Sequence, residues 1–289
     1  MRIALGTVQF GQNYGIANKS GQVSIDVAKS MLEIAYANGI DTLDTAIAYG
    51  ESERCLGSIG VNGMKVVTKL PGLSVDCPSV ESWIRDQAEN ALARLRVPAV
   101  HGLLLHRSED LRGARGGEVY KALCGLKRDG LVRKIGISVY SPTELDELLS
   151  IFDFDIVQAP LNLVDRRIAS SGWLRKLSLA GVEVHTRSAF LQGLLLMPES
   201  VIPSKFSPWK PKWKLWHEWL FASGMSALEA CLAYSMSFKE IDKVIVGADG
   251  SNQFLEIISA ASRLKVMEDF PDLASEDERL IVPANWAML

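Results

Sequence analysis

The sequence lacks the features that mark several large classes of protein. Its 289 residues carry a formal net charge of −3, with Lys and Arg scattered, so neither a nucleic acid nor an anionic membrane is an expected partner. No run of about 18 uncharged apolar residues suggests a membrane-spanning helix. The N-terminal apolar stretch breaks at Gly6 and is too short for a signal peptide. We therefore expect a cytoplasmic protein whose partner is neither a nucleic acid nor a membrane.

Metal and nucleotide motifs are also missing. The four histidines form no HxH or HExxH pattern, so we expect no metal site built from protein ligands. No GxGxxG follows the first apolar run, and there is no P-loop and no GxSxG motif. The cysteines are far apart and form no CxxC pair, which is typical of reduced thiols: Cys55, Cys77, Cys124 and Cys231.

What the sequence does contain is a repeated alternation of short apolar runs and helical patterns. Each run is rich in Val, Ile or Leu and ends in a small or polar residue, as in parallel strands that are buried on both faces. The runs are RIALGT, IDTLD, KVVTKL, VHGLLLH, KIGIS, FDIVQA, VEVHTR and KVIVGA. Helical patterns fill 24–39, 79–96, 118–129, 141–150, 166–180, 226–238 and 251–264. This alternation predicts an α/β fold, a (β/α)₈ TIM barrel forming a single domain over 1–289. The alternative is an open doubly wound sheet.

Residues 190–224 interrupt this alternation after the seventh strand. This long loop contains four tryptophans, all of them within 205–221. Long loops at the carboxyl face of a barrel often shape a substrate pocket. The tryptophans could equally cover the barrel by packing, and the sequence leaves both interpretations open.

Four polar residues follow successive strands in order. Asp44 ends the second strand, Tyr49 lies in the loop after it, Lys69 ends the third strand and His106 the fourth. Each alone has an ordinary explanation as a turn, packing or rim residue, but carboxyl ends of neighbouring barrel strands lie close together. A buried Lys69 needs Asp44 as its partner, and we expect the ammonium to lower the pKa of Tyr49. The set predicts a site where Tyr49 protonates a carbonyl oxygen that His106 orients.

The residues directly after Tyr49 have a simpler interpretation. Gly50 suits a turn, and Glu51, Ser52 and Glu53 suit the start of a helix. We assign them no functional role at this point.

The order of these motifs resembles the aldo-keto reductases from Gly6 to about Arg263. The motifs are LGTVQFG, DTLDTAIAYGESE, VVTKL, LLLHRSED, KIGISVYS, VQAPLNLVDR, SAFLQGLLL and VIVGADGSNQFLE. The resemblance implies a (β/α)₈ barrel that reduces carbonyls by hydride transfer from NADPH, less often NADH, without a metal. It implies that Tyr49 is the general acid, that Lys69 and Asp44 tune it, and that His106 orients the substrate.

The same resemblance implies a set of cofactor-binding positions, with two departures from the family pattern. Val139 stands where Asn is common, and Arg187 replaces an aromatic residue that stacks on the nicotinamide; a planar guanidinium can also stack. The implied positions are Gly6, Thr7, Ser138, Gln158, Arg187, Ser188, Gln192, Gly193, Leu194, Gly247, Ala248, Asp249, Gln253 and Glu256.

The sequence does not identify the substrate, but it suggests residues and alternatives. We expect Phe10, Tyr14 and Asn162 to contribute to substrate binding. Many relatives carry a cation after strand eight for the 2′-phosphate of NADPH, whereas Asp249 would repel a phosphate, so we expect weak NADPH discrimination unless a Lys or Arg elsewhere supplies the charge. One alternative function is a nucleotide-binding regulatory subunit with little turnover. Another is a different barrel enzyme, such as a metal-dependent hydrolase or isomerase.

Overall fold

The computed structural model describes residues 1–74, 76–264, 267 and 269–289. In this part of the chain, parallel strands pair in sequence order, and the last pairs with the first, which closes a barrel. The predicted (β/α)₈ barrel is confirmed, and the open sheet is excluded. The strands are β1 (Ile3–Gly6), β2 (Thr42–Asp44), β3 (Lys65–Leu70), β4 (Val100–Leu105), β5 (Val132–Ser138), β6 (Ile156–Pro160), β7 (Glu183–Arg187) and β8 (Lys243–Val246).

The helices surround the barrel on its outside. They are α1 (Ile25–Ala37), α2 (Ser52–Ile59), α3 (Val80–Leu95), α4 (Glu109–Arg112), α5 (Gly116–Arg128), α6 (Pro142–Leu148), α7 (Arg167–Ser170), α8 (Trp173–Leu179), α9 (Lys210–Ser223), α10 (Ala227–Ser237), α11 (Ser251–Ser262) and α12 (Glu278–Ile281). Within the ranges given above, no helix is both long enough and apolar enough to cross a bilayer.

Local sequence signals account for several helix ends. The Ser24 side chain caps α1, and Gly39, with φ of 67°, follows the helix where it stops. Ser141 and Glu144 form the predicted capping box of α6. The predicted continuous helix over 166–180 is wrong in one respect: Gly172, with φ of 79°, separates α7 from α8.

Two apolar layers hold the barrel together. Val67, Leu104 and Ile156 fill its interior, and a much larger cluster lies between the strands and the helices. Space is limited at Gly136 of β5, where a Cβ would lie 2.3 Å from the Ile156 carbonyl oxygen of the paired strand and 2.4 Å from the Leu104 Cδ2. A residue with a side chain would therefore not fit at this position without a shift of its neighbours.

Charged residues close the amino-terminal end of the barrel. Glu183 of β7 contacts both His185, at 2.7 Å, and His101, at 3.2 Å. Burial alone would raise the pKa of Glu183, but hydrogen bonds from His101, His185 and Lys134 outweigh it and hold the pKa well below its usual range. This end of the barrel is occupied by paired charges, which leaves the carboxyl end for the candidate site.

Candidate active site

A buried ion pair forms the base of the site at the carboxyl end of β2 and β3. The Lys69 Nζ donates to the two Asp44 carboxylate oxygens at 2.8 and 2.7 Å and to the Thr45 carbonyl at 2.9 Å. Lys69 is 1% exposed and Asp44 is 4% exposed. The Gln158 side chain on β6 donates to the same carboxylate at 2.7 Å. All three ammonium hydrogens therefore have partners, as a charge this deeply buried requires.

Tyr49 lies directly above this pair. The Lys69 Nζ is 5.2 Å from the centre of the Tyr49 ring. The Tyr49 and His106 rings meet edge to face, with centroids 5.8 Å apart and planes at 78°. The four strand-end residues predicted to converge are thus brought together at one point of the rim.

The loop that carries Tyr49 is fixed by a contact between two glycines. A Cβ on Gly50 would lie 2.5 Å from the Gly11 carbonyl oxygen, and a Cβ on Gly11 would lie 1.7 Å from the Tyr49 carbonyl oxygen. Gly50 also has φ of 54°, which disfavours any residue with a Cβ. The backbones after β1 and β2 therefore touch, and this contact determines where the Tyr49 ring points.

Ser52 and Glu53 do more than start helix α2, so our interpretation of them as ordinary helix-start residues was incomplete. The Ser52 hydroxyl donates to the Thr7 carbonyl at 2.8 Å and contacts the Thr45 hydroxyl at 3.0 Å. Glu53 is 1% exposed and accepts from the Thr68 hydroxyl at 2.6 Å and from the Arg94 guanidinium at 2.7 Å. These bonds tie the loop to β1, β3 and α3, contacts that no local sequence pattern reveals.

The electrostatics of Tyr49 differ from our expectation. Burial raises the pKa of the Tyr49 phenol above its ordinary value, and the Asp44 carboxylate raises it further. Arg187 is the cation that opposes this shift. The predicted lowering of the Tyr49 pKa is therefore wrong, because burial and the Asp44 carboxylate outweigh the nearby positive charge. Tyr49 is consequently a neutral phenol that holds its proton.

His106 is neutral for a related reason. Burial, with the positive charges of Lys69 and Arg187, lowers the pKa of His106 to about 4, and only Asp44 opposes the shift. At neutral pH the ring therefore offers one N–H donor and one acceptor nitrogen. Burial also lowers the pKa of Lys69, against the opposing effect of Asp44.

A cleft of about 640 Å³ opens from Tyr49 and His106 toward the start of helix α11. Its walls come mainly from the segments after β1, β7 and β8. The predicted cofactor residues that line it are Gly6, Thr7, Gln158, Arg187, Ser188, Gln192, Gly193, Gly247, Asp249 and Gln253. In the described part of the chain, no group of three or more His, Cys, Asp or Glu side chains is arranged to hold a metal ion.

The comparison with known families agrees with this geometry. The model described as the aldo/keto reductase family matches residues 2–278. The chain belongs to the aldo/keto reductase family. Membership makes it an oxidoreductase, in a family that generally uses NAD(P)H.

Individual relatives are distant but extend over most of the chain. L-galactose dehydrogenase of Arabidopsis thaliana is 25% identical over 98% of this chain and 92% of its own length. The uncharacterized oxidoreductase YqkF of Bacillus subtilis is 26% identical over 84% of each chain. The holo form of the aldo-keto reductase AKR11C1 from Bacillus halodurans superposes with a TM-score of 0.76 at 19% identity, covering 96% of this chain and 95% of the other. At that identity, the likeness shows the shared fold.

Four of the cofactor positions implied by the family resemblance do not line the cleft. Ser138, Leu194 and Ala248 are buried, at 3%, 1% and 1% exposure, and Glu256 lies on α11 outside the cleft wall. Gln9, which sequence reasoning did not select, does line it, and its side-chain Oε1 is buried without a hydrogen-bond partner. A lone Gln after a strand carries no sequence signal for such a role.

The predicted substrate residues separate in the same way. Tyr14 lines the cleft, and its hydroxyl accepts from the Gln192 side chain at 3.2 Å. Phe10, at 1% exposure, and Asn162, fully buried, are not part of the wall. The Asn162 amide instead donates to the Ser188 carbonyl at 3.1 Å, so it supports the loop that borders the cleft.

Arg187 ends β7 inside the cleft, in the position that the family resemblance gives to a nicotinamide-stacking residue. Its guanidinium carbon lies 4.3 Å from the centre of the Tyr140 ring, and its Nη2 donates to the Val139 carbonyl at 3.1 Å. One face of the guanidinium is thus held by stacking. Tyr140, which sequence reasoning did not single out, both holds Arg187 and lines the cleft.

The tryptophans after β7 pack; none of them lines the cleft. Part of this insertion is the helix α9, whose Trp213 and Trp216 are buried and donate to the carbonyls of Phe206 and Leu195. The C-terminal tail covers the same region, since the Trp286 ring meets Phe206 with centroids 4.9 Å apart. Of the two interpretations left open by the sequence, the structure supports packing.

Proposed function

We propose that the chain reduces the carbonyl group of an aldehyde, ketone or sugar to an alcohol with NAD(P)H, and that Tyr49 is the proton donor. The observation that carries the proposal is the neutral Tyr49 phenol beside the neutral His106 ring, above the buried Lys69–Asp44 pair and at one end of a long cleft.

Each of these side chains has a distinct part in the proposed chemistry. Tyr49 holds a proton at its hydroxyl and gives it to the carbonyl oxygen as negative charge develops there. His106 orients that oxygen through its N–H. Lys69 lies beneath the Tyr49 ring and helps to position it, and Asp44, held in turn by Gln158, fixes the ammonium in place.

The cleft has the features that a nicotinamide cofactor needs. Gln158 is fully buried, its nitrogen is bound to Asp44, and its Oε1 has no partner, so this oxygen is free to accept a hydrogen bond from the nicotinamide carboxamide. When bound, NAD(P)H supplies the hydride for the carbonyl carbon. We assign Arg187 to the nicotinamide region, Gln192 and Gly193 to the pyrophosphate, and Asp249 and Gln253 to the adenosine end of the cleft.

The left-handed backbone after β7 supports the pyrophosphate assignment. Ser188, Leu191, Gln192 and Gly193 have φ between 48° and 89°, a conformation that three non-glycine residues adopt only when their surroundings enforce it. A Cβ on Gly193 would lie 2.5 Å from the Ala17 Cβ. The loop after β1 therefore closes on this segment and makes the cleft narrow where the cofactor would cross it.

The nucleotide preference depends on the far end of the cleft. Asp249 accepts a hydrogen bond from Gln9 at 3.4 Å, and burial raises the pKa of Asp249. Of the described residues that line this end, Lys19 is the cation, and it is exposed. We propose that Asp249 hydrogen-bonds a free ribose 2′-hydroxyl and that discrimination in favour of NADPH is weak.

Titration with NADH and NADPH tests this preference. Comparable dissociation constants are expected for the two cofactors. Asp249→Asn should strengthen NADPH binding, and Lys19→Met should weaken it. NADPH binding about a hundredfold tighter than NADH in the wild type would contradict the assignment of Asp249.

The decisive test of the proposed function is Tyr49→Phe. A panel of aldehydes, ketones and sugars is assayed by the absorbance of NAD(P)H, and turnover should fall by about 10²–10⁴-fold while cofactor affinity stays within a few-fold. Tyr140→Phe, which removes another phenol of the cleft, is the matched control and should keep most of the turnover. A protein that binds the cofactor but turns over nothing in the panel would instead be a regulatory subunit.

The proposed cellular compartment follows from the cysteines, and the proposed binding partner follows from the reaction. All four cysteines are free, in line with a reducing compartment such as the cytoplasm. A small carbonyl compound is the proposed partner, bound by a monomer or a weak homo-oligomer.

A further inference from the structure

Arg187 is a cation in the cleft, and no acidic side chain among the residues that the structure describes neutralises it. Among the described residues its guanidinium forms no ion pair: it donates to the Val139 carbonyl and stacks on Tyr140. Neither contact removes its positive charge. A carbonyl group and an aromatic ring both attract a cation without compensating its charge fully.

The other charged groups near Tyr49 are already balanced. Lys69 is bound to Asp44 at 2.7 Å, so the pair is neutral as a unit. His106 is uncharged at neutral pH, because its pKa lies at about 4. In the described part of the chain, Arg187 is therefore the source of a net positive charge around the reacting groups.

The field of Arg187 extends to the place where the chemistry must occur. Arg187 lines the same cleft as Tyr14, Tyr49 and His106. Its positive charge opposes the rise in the pKa of Tyr49 and contributes to the low pKa of His106. The inference rests on the proposed function at this point: hydride transfer requires the nicotinamide ring to contact the carbon whose oxygen meets Tyr49. In that position the charge of Arg187 acts on the nicotinamide ring, whichever face of the ring is turned toward the guanidinium.

We propose that Arg187 is a specificity-determining residue that makes the site bind the reduced cofactor more tightly than the oxidised one. The two forms have nearly the same shape, and the oxidised ring carries one additional positive charge. Like charges a few ångströms apart at a partly buried site repel each other by more than the free energy of a tenfold change in affinity, and salt screens such a site incompletely. Arg187 thereby favours carbonyl reduction, because it weakens the binding of the oxidised cofactor that the reaction leaves in the site.

Direct binding measurements without substrate test this proposal. The full-length protein is titrated with NADPH, NADP⁺, NADH and NAD⁺, followed by tryptophan fluorescence or calorimetry. The quantity compared is the ratio of the oxidised to the reduced dissociation constant. Arg187→Met should lower this ratio about tenfold or more, mainly by strengthening the oxidised form, whereas Arg187→Lys should preserve it.

A matched control is available outside the cleft. Arg166 also stacks on a tyrosine, with its guanidinium carbon 5.1 Å from the Tyr234 ring, and donates to the Leu163 carbonyl at 2.9 Å. Arg166→Met removes a stacked cation of the same kind and should leave the ratio unchanged. If Arg187→Met is poorly folded, Arg187→Gln serves in its place, because it keeps a donor for the Val139 carbonyl.

Two results would overturn the proposal. One is an unchanged ratio in the charge-removing variants, as expected if Arg187 instead binds an anionic group of the substrate. The other is an equal fall of the ratio in Arg187→Lys, which would assign the effect to shape. Binding of neither cofactor by the wild type would be a different failure, that of the proposed function itself.

Discussion

Removal of the Lys69 ammonium should strongly destabilise the protein, because it leaves a buried carboxylate without its counter-charge. In Lys69→Met, Asp44 would keep the Gln158 side chain as a donor at 2.7 Å and would lose the two bonds from the ammonium. Asp44 is 4% exposed and cannot recover water as a partner without local opening. Breaking a buried pair in this way typically costs about 3–5 kcal/mol of the free energy of unfolding.

Urea denaturation followed by tryptophan fluorescence measures this loss, since the chain has seven tryptophans. The double variant Lys69→Met with Asp44→Asn should regain part of the loss, because no net charge then remains buried. Lys214→Met is the matched control. Its partner in the ion pair is Glu218, the two side chains are 68% and 62% exposed, and the expected change is below about 0.5 kcal/mol.

A loss below about 1 kcal/mol in Lys69→Met would refute this prediction, because the carboxylate would then have access to water. Simple addition of the losses of the two single substitutions in the double variant would refute it as well. Additive losses would mean that the two side chains do not interact in the folded state.

Three further predictions concern the loop after β2, helix α2 and His106. Gly50→Ala should cost about 1–3 kcal/mol and lower kcat more than it raises KM, since the new Cβ would push against Gly11 and displace Tyr49; unchanged kinetics would contradict this. Glu53→Gln should lower the urea midpoint, because the Arg94 guanidinium loses its carboxylate; an unchanged midpoint would contradict it. The pKa of His106 is lower in the folded state, about 4, than its unfolded value of 6.5. The unfolded chain therefore binds more protons between those pH values, and stability should fall as pH drops through that window, by at most about 3 kcal/mol. His106→Gln should flatten this pH dependence, and an equal slope in both proteins would refute the assignment.

Several features of the fold could be read from the sequence because their causes are local or periodic. Apolar runs that end in polar residues identified all eight strands, and the order of Asp44, Tyr49, Lys69 and His106 along the chain was enough to predict their convergence. Strand ends in a parallel barrel lie on one rim, so the topology turns order along the chain into proximity. The capping box of α6 was predictable for the same reason, since its partners are three residues apart.

Other features depend on contacts between residues far apart in sequence. Gln158 reaches Asp44 across 114 positions, and Phe10 and Asn162 are buried where the sequence suggested a substrate wall. The pKa of Tyr49 moved opposite to our expectation because burial, which a sequence does not report, outweighs the neighbouring cation.

The sequence by itself determined the barrel and the identity of the four residues at its rim, because strand periodicity and chain order suffice for both. Only the tertiary structure decided which side chains are buried, which charges are neutralised and which remain free. The free charge of Arg187 is the clearest example. An arginine at a strand end is ordinary in sequence. It matters here because the folded chain brings Tyr140 and a carbonyl to it and, within the described ranges, no carboxylate.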